Sequence, residues 1–208
     1  LARIAQGVNV TVAFDDILEL IYAQTDQVLP VDDFHITLRN VQNDFNYFAF
    51  CLENDDRVSS RENLPLPAST GLSREVIRTR RPLLTSDYPR ECRERGLAPY
   101  SAEIRGWVGV PLNTGKETIG ALSVGSRDPA VIYTSGQMEL LQSIAEQAAG
   151  AIVKTRLLQE TERRAGQLTI LNDITRQLTG TLESEPLLEK ILQSAVGILN
   201  CEAGTLFL

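Results

Sequence analysis

The opening stretch of this chain occurs twice. Residues 1–38 and 171–208 align at a constant offset of 170, without a gap. Leu1 maps to Leu171, Ile4 to Ile174, Thr11 to Thr181, Leu18-Glu19 to Leu188-Glu189, Ile21 to Ile191, Leu29 to Leu199 and Leu38 to Leu208. Where the copies differ they keep character: Val8 becomes Leu178, Ile17 becomes Leu187 and Asp32 becomes Glu202. A period this long exceeds the ~20–50 residues of solenoid repeats, so it marks whole domains in series. We expect one complete domain over 1–158, a polar helical linker over 159–167 and the truncated start of a second domain over 168–208. On that expectation the parent protein is longer. Serial copies of a small domain suit sensing and binding better than stand-alone catalysis.

Composition narrows the partners. The 208 residues fit one domain plus a fragment at ~100–200 residues per domain, and 43% hydrophobic residues can fill a core. Net charge is −7, and the basic stretches Arg74–Arg81 and Arg90–Arg95 are short and interrupted or flanked by acids or turns. Phosphate backbones need clustered Lys and Arg, so nucleic acid is not an expected partner. No apolar run approaches the ~18 residues of a membrane span, and no membrane contact is expected. Cys51, Cys92 and Cys201 are too few and scattered for a disulfide scaffold or zinc site, and fit reduced thiols in a cytoplasmic setting. His35 is the only histidine, which excludes multi-histidine metal sites. No metal is expected.

Periodicity predicts the elements. Leu1, Ile4, Ala5, Val8 and Val12 recur at helical spacing. Phe14-Asp15-Asp16 is expected to end that helix and open another, with Ile17, Leu18, Ile21, Thr25, Val28 and Leu29 inward and Pro30 as its stop. Phe34–Arg39 and Asn46–Leu52 read as strands about an Asn43-Asp44 turn, and 53–60 as a loop. Thr70–Thr79 reads as a short helix with Leu72, Val76 and Ile77 inward, Pro82–Thr85 as extended, and Tyr88–Ser101 as irregular with one helical turn near Glu91–Arg95. Arg105–Leu112 and Glu117–Gly125 form a hairpin about Asn113-Thr114-Gly115-Lys116, where Gly115 supplies the positive φ. Thr134 with Gln137 makes a capping box before a long helix. The fold class is therefore α+β, an antiparallel sheet backed by helices.

No proline lies between Ala130 and Glu185, so the closing helix is expected to run on from Gly136 to Leu178, roughly 65 Å. Leu141, Ile144, Ala148, Ala151 and Leu158 keep an a/d rhythm, as do Leu168, Leu171, Thr175 and Leu178, in mismatched registers. Between them Gln159–Gln167 is almost wholly polar. These residues point to a homodimeric helical bundle with a soft centre. The alternative is a helix that packs on its own domain and frays beyond Leu158.

Several local motifs, in order, resemble the GAF domain. Ile104-Arg105-Gly106-Trp107-Val108-Gly109-Val110-Pro111-Leu112 followed by Ile119-Gly120-Ala121-Leu122-Ser123-Val124 resembles the family's paired strands. Thr70-Gly71-Leu72 through Arg81-Pro82-Leu83-Leu84 resembles its mid-domain helix, Asp87 stands where the family often has Asp, and Tyr133-Thr134 to Leu140-Leu141 resembles the entry to its last helix. The match covers Leu1 to about Leu158 and restarts at Leu168.

The resemblance implies a sensor module, usually in tandem, whose connecting helices pair in dimers and drive an output domain such as a bacterial histidine kinase or a cyclase. It implies a pocket on the sheet face away from the terminal helices, under 72–101. Leu72, Tyr88, Cys92, Tyr100 and Trp107 are the lining candidates, with Asp87 at the rim. A packed lid-side core is the alternative for these aromatics, and a ligand-free spacer is the alternative for the module. Covalent tetrapyrrole binding commonly uses a Cys-His pair, whereas Cys51 precedes Leu52 and Cys92 precedes Arg93. Haem would require His35, on a strand. The cyclic-nucleotide pattern is present only in fragments at Asn43-Asp44-Phe45 and Asp55-Asp56. Some relatives reduce free methionine sulfoxide; Cys51 and Cys92 could be the pair for that chemistry, with Arg90, Arg93 and Arg95 lowering the Cys92 pKa and Glu91 and Glu94 partly offsetting them, but inert or surface cysteines are the favoured reading.

Overall fold

The computed structural model describes residues 2–115 and 117–181, with side chains over 14–115 and 117–172. The chain divides into two units, Leu1–Leu157 and Leu158–Leu208. The first contains α1 (Ala2–Asp26), β1 (Asp33–Asn40), β2 (Phe45–Glu53), β3 (Asp56–Arg57), α2 (Ser73–Thr79), β4 (Leu83–Thr85), α3 (Tyr88–Glu94), β5 (Gly106–Thr114), β6 (Glu117–Ser126) and the start of α4 (Ser135–Thr181). The strands form one antiparallel sheet in the order β3-β2-β1-β6-β5-β4. Among the described residues no helix is long and apolar enough to cross a membrane.

The sheet separates two hydrophobic clusters because successive strand residues point to opposite faces. Phe34, Ile36 and Leu38 of β1, Val108, Val110 and Leu112 of β5, and Leu122 and Val124 of β6 face one way. They pack against Leu18 and Ile21 of α1 and Leu141, Ala145, Ala148, Ala149 and Ile152 of α4. Trp107 and Ala121 face the other way and meet Leu72, Val76 and Ile77 around α2, Tyr88 and Cys92 of α3, and Ile104. At ~1.5–3 kcal/mol per large side chain removed from water, this double-sided burial is the main drive for the fold.

Where α1 was expected to break, it continues. Nothing at Phe14-Asp15-Asp16 removes a helical hydrogen bond, and aspartate is only weakly disfavoured within a helix. Asp15 and Glu19 lie one turn apart and both hold Arg57 of β3, at 2.7 and 2.8 Å. The same guanidinium takes Glu62 at 3.0 Å and lies 4.5 Å from the Phe50 ring centroid. The inner stripe is Leu18, Ile21 and Thr25, with Leu29 buried just past the helix; Val28 is exposed.

Other expectations also shift. The loop over 53–60 holds β3 and enters a 3₁₀ turn at Ser59–Arg61. Tyr88–Glu94 makes two helical turns, where a single turn near Glu91–Arg95 was expected. Asp87 caps α3 by accepting the Arg90 N–H at 3.1 Å, and Pro89 sits in its first turn. The β5–β6 turn and the α4 start agree with the sequence. Gly115 has φ +59°. Thr134 Oγ1 accepts from the Gln137 N–H at 3.3 Å while Gln137 Oε1 accepts the Thr134 N–H at 2.9 Å.

α4 is helical throughout Ser135–Thr181, as the lack of proline predicts. Its candidate seam residues divide. Leu141 and Ala148 are buried in the first unit's core and Ile144 packs against it. In the second unit Leu158, Leu168 and Leu171 are exposed, each more than half. The Leu178 side chain lies outside the described residues, as does the proposed restart of the domain beyond Thr181.

Candidate functional site

A cavity of about 650 Å³ opens on the side of the sheet that α2 covers, with Arg156 of α4 also among its lining residues. Thr37 of β1 and Phe48 of β2 line its wall, Ser73 and Ile77 come from α2, and Gly71 and Tyr100 come from the loops. Gly71 is required here: its φ is +73°, and a Cβ would stand 3.2 Å from Tyr100 Cδ1. The Thr37 hydroxyl is buried and has no hydrogen-bond partner among the described residues. Buried hydroxyls are nearly always paired, so this one favours a polar occupant.

Charge at the cavity is uneven. Arg39, Arg74, Arg78, Arg80 and Arg156 line it against Asp44 and Glu117. Arg39 pairs with Asp44 at 2.8 Å and Arg78 with Glu75, which lowers the Glu75 pKa, while Arg156 donates to the Tyr47 hydroxyl. The surplus of arginine gives the opening a positive field.

The expected lining residues fall into two groups. Leu72, Tyr88, Cys92 and Trp107 are fully buried against one another, with Tyr88 and Trp107 ring centroids 5.8 Å apart. They fill the part of this face beneath α2 and α3. Tyr100 alone of the six lines the cavity, and Asp87 spends a carboxylate oxygen on the α3 cap. Thr37 and Phe48 were missed. For Thr37 the signal was period-two alternation, since His35, Thr37 and Arg39 share the face opposite Phe34, Ile36 and Leu38; Phe48 had no such signal, because the register shift between β1 and β2 sets its face.

Behind the cavity wall lies a polar cluster. Tyr100 Oη is 2.8 Å from His35 Nδ1, and the His35 ring stacks on Phe48 at 4.6 Å. Burial lowers the His35 pKa and raises that of Tyr100. Beyond His35 are Cys51, directly opposite it on β2, and Glu53, two residues further on the same face. Burial, with Glu53 nearby, pushes the Cys51 thiol up to about 12. Glu53 is also ion-paired with Arg61.

The second thiol, Cys92, is buried as well. Burial raises the Cys92 pKa despite Arg93 and Arg95. The arginines are engaged elsewhere: Arg90 with Glu94 at 2.8 Å and Arg95 with Glu91 at 2.6 Å. Neither described cysteine is an activated thiolate, and both are free.

The fold is a central antiparallel sheet, backed by two long helices on one face and covered by short helices and loops around a cavity on the other. The chain belongs to the GAF domain family, whose model matches residues 12–153. Among solved structures it is similar to residues 122 to 287 of a methyl-accepting chemotaxis protein, with TM-score 0.57 and 22% identity over 70% of this chain and 92% of that one. A type II free methionine-R-sulfoxide reductase from Thermoplasma acidophilum gives TM-score 0.56 and 12% identity over 70% and 96%. The GAF-B domain of DevS from Mycobacterium smegmatis gives 0.53 and 16% over 73% and 98%. At these identities the likeness concerns fold.

Proposed function

We propose that this chain is a regulatory GAF module that senses a small anion with an apolar portion, and that it is not itself an enzyme. The cavity of about 650 Å³ carries this reading, because it combines an aromatic and aliphatic wall, an unpartnered buried hydroxyl at Thr37 and an arginine-rich opening. Similarity to a chemotaxis protein fragment and to a DevS domain agrees with a signalling role. The similarity to a sulfoxide reductase carries less weight, because burial holds both described thiols protonated.

In this proposal the module works in the cytoplasm as a homodimer. The exposed Leu158, Leu168 and Leu171 of α4 face the partner, and the polar run 159–167 lets that helix take two arrangements. Ligand binding biases them, and a downstream kinase or cyclase responds. The competing reading is a ligand-free dimerisation spacer, supported by the dense packing of Leu72, Tyr88, Cys92 and Trp107.

Native mass spectrometry of the freshly purified chain tests the two. A co-purifying small mass that is lost in Ala68→Trp, which blocks the exposed mouth of the cavity, supports sensing. A bare dimer that a panel of small carboxylates and phosphates does not stabilise favours the spacer.

A further inference from the structure

We infer that His35, Cys51 and Glu53 form a binding site for a single divalent metal ion, best suited to zinc. A ring nitrogen of His35, Cys51 Sγ and a Glu53 carboxylate oxygen all lie within 4.8 Å of one another. The sheet sets this up. Cys51 and Glu53 are two apart on β2 and therefore share a face, and register puts His35 directly across from Cys51.

The spacing suits a metal. Zinc holds nitrogen and oxygen at ~2.0–2.2 Å and sulfur at ~2.3 Å, so tetrahedral donors stand about 3.3–3.7 Å apart. Glu53 Oε1 is 3.8 Å from His35 Nε2 and 3.7 Å from Cys51 Sγ. A nitrogen–oxygen gap of 3.8 Å is too long for a hydrogen bond, and the fully buried His35 Nε2 has no partner among the described residues. The imidazole has one nitrogen 2.8 Å from the Tyr100 hydroxyl and its other nitrogen unpartnered, 3.8 Å from the Glu53 carboxylate and beside the Cys51 thiol. A cation at their centre satisfies all three.

The surroundings agree. The Tyr100 hydroxyl on His35 Nδ1 is the outer hydrogen bond that fixes a ligating imidazole's orientation and tautomer. Glu62 accepts the Cys51 N–H at 3.1 Å and steadies that part of β2. Thiolate and carboxylate together cancel a divalent charge, which a buried site requires, and the thiol proton leaves to water. Arg61 is the opposing cation. It shares Glu53 Oε1, and coordination through that oxygen leaves Oε2 for Arg61. The Glu53 side chain is 19% exposed and provides the entry edge. Nitrogen, sulfur and oxygen donors with one open position match zinc and exclude magnesium and calcium, which take oxygen donors. None of the three donors lines the cavity, and the site does not rest on the cavity's ligand.

Titration of the chelator-treated full chain with Co²⁺, with zinc content measured by native mass spectrometry, tests the inference. We expect one equivalent of metal per chain, a thiolate-to-cobalt charge-transfer band in the near ultraviolet and displacement of cobalt by zinc. Cys51→Ser removes the band, and Glu53→Gln weakens binding at least tenfold with the sheet intact by circular dichroism. Tyr100→Phe weakens it ~10–100-fold through the outer hydrogen bond. The double variant Cys92→Ser, Cys201→Ser keeps the band. No band in the wild type, a band that survives Cys51→Ser, or affinity unchanged in Glu53→Gln overturns the site.

Discussion

Gly109 is the position where the lid-side core leaves least room. It follows Trp107 by two residues on β5, so both point to the same face. A Cβ built on Gly109 would lie 2.2 Å from Trp107 Cη2, 2.8 Å from Cζ2 and 2.9 Å from Cζ3. Carbon contacts settle near ~3.5–4.0 Å, so in Gly109→Ala the ring must retreat by roughly 1.3 Å or more. It has nowhere to go: Trp107 is fully buried, with Tyr88 at 5.8 Å and Leu72, Cys92 and Ile104 packed in the same cluster. Overpacking a tight core costs ~1–3 kcal/mol, and a rigid indole in a closed cluster belongs at the upper end, about 3 kcal/mol. For a unit of this size that lowers Tm by about 6–12 °C. Urea unfolding followed by far-ultraviolet circular dichroism measures it for Gly109→Ala, Trp107→Leu and the double variant. Removing the indole removes the clash, so the double variant should be at least ~1.5 kcal/mol more stable than the two single losses sum to. A loss below ~0.5 kcal/mol in Gly109→Ala, or the same loss with and without the indole, refutes the argument.

Three further tests address the polar framework. Asp33 is fully buried and held by Arg127 through two hydrogen bonds of 2.9 and 3.0 Å, so Arg127→Met strands a buried carboxylate and should cost ~2–4 kcal/mol in urea, discounted for the partial exposure of Arg127. Burial alone would raise the Asp32 pKa, but the Arg127 N–H, the Ser126 hydroxyl and the Asp128 N–H outweigh it and hold that carboxyl below its usual range. Its stabilisation is therefore complete above the ordinary carboxylate range and is lost as pH falls through the lowered value; Asp32→Asn should flatten that part of a stability–pH curve, and an unchanged acid limb counts against it. Thr134→Ala removes one arm of the α4 capping box and should cost ~1 kcal/mol, read from the same unfolding curves.

Elements held by local chemistry were readable from the sequence. The Gly115 turn needs one positive φ, the Thr134–Gln137 box needs two side chains three residues apart, and Leu72, Val76 and Ile77 repeat at helical spacing; each appears in place. The missed elements depend on distant partners. Asp15 and Asp16 resemble a helix break until Arg57, 42 residues from Asp15, claims Asp15 and Glu19. The acids Glu91 and Glu94 beside the arginines were legible as an offset at Cys92, but the burial that raises its pKa depends on the distant elements packed over it. Tyr88, Tyr100 and Trp107 share the side of the sheet away from the Leu18–Ile152 core, but the sequence does not divide that side between filled core and open cavity. That division depends on which side chains interlock, and only Tyr100 reached the cavity.

The proposed metal site shows why scarcity is a poor guide to coordination. A single histidine excludes a multi-histidine site, but one donor of each type suffices when two strands bring them level. Simple alternation would not have revealed this arrangement. Phe48 and Cys51 are three residues apart, so a regular strand would place them on opposite faces, yet Phe48 stacks on His35 and the Cys51 sulfur groups with a nitrogen of the same ring. The register between β1 and β2 shifts at Ile36/Thr37, where Ile36 pairs with Phe50 and Thr37 with Phe48. Ala49 is passed over and buried in the opposite core. A bulge of one residue changes the face on which everything beyond it lies. It puts Phe48 at the cavity wall while leaving Cys51 and Glu53 beside His35. The same irregularity therefore shapes both the cavity and the donor cluster behind it, and it joins them through the ring of His35.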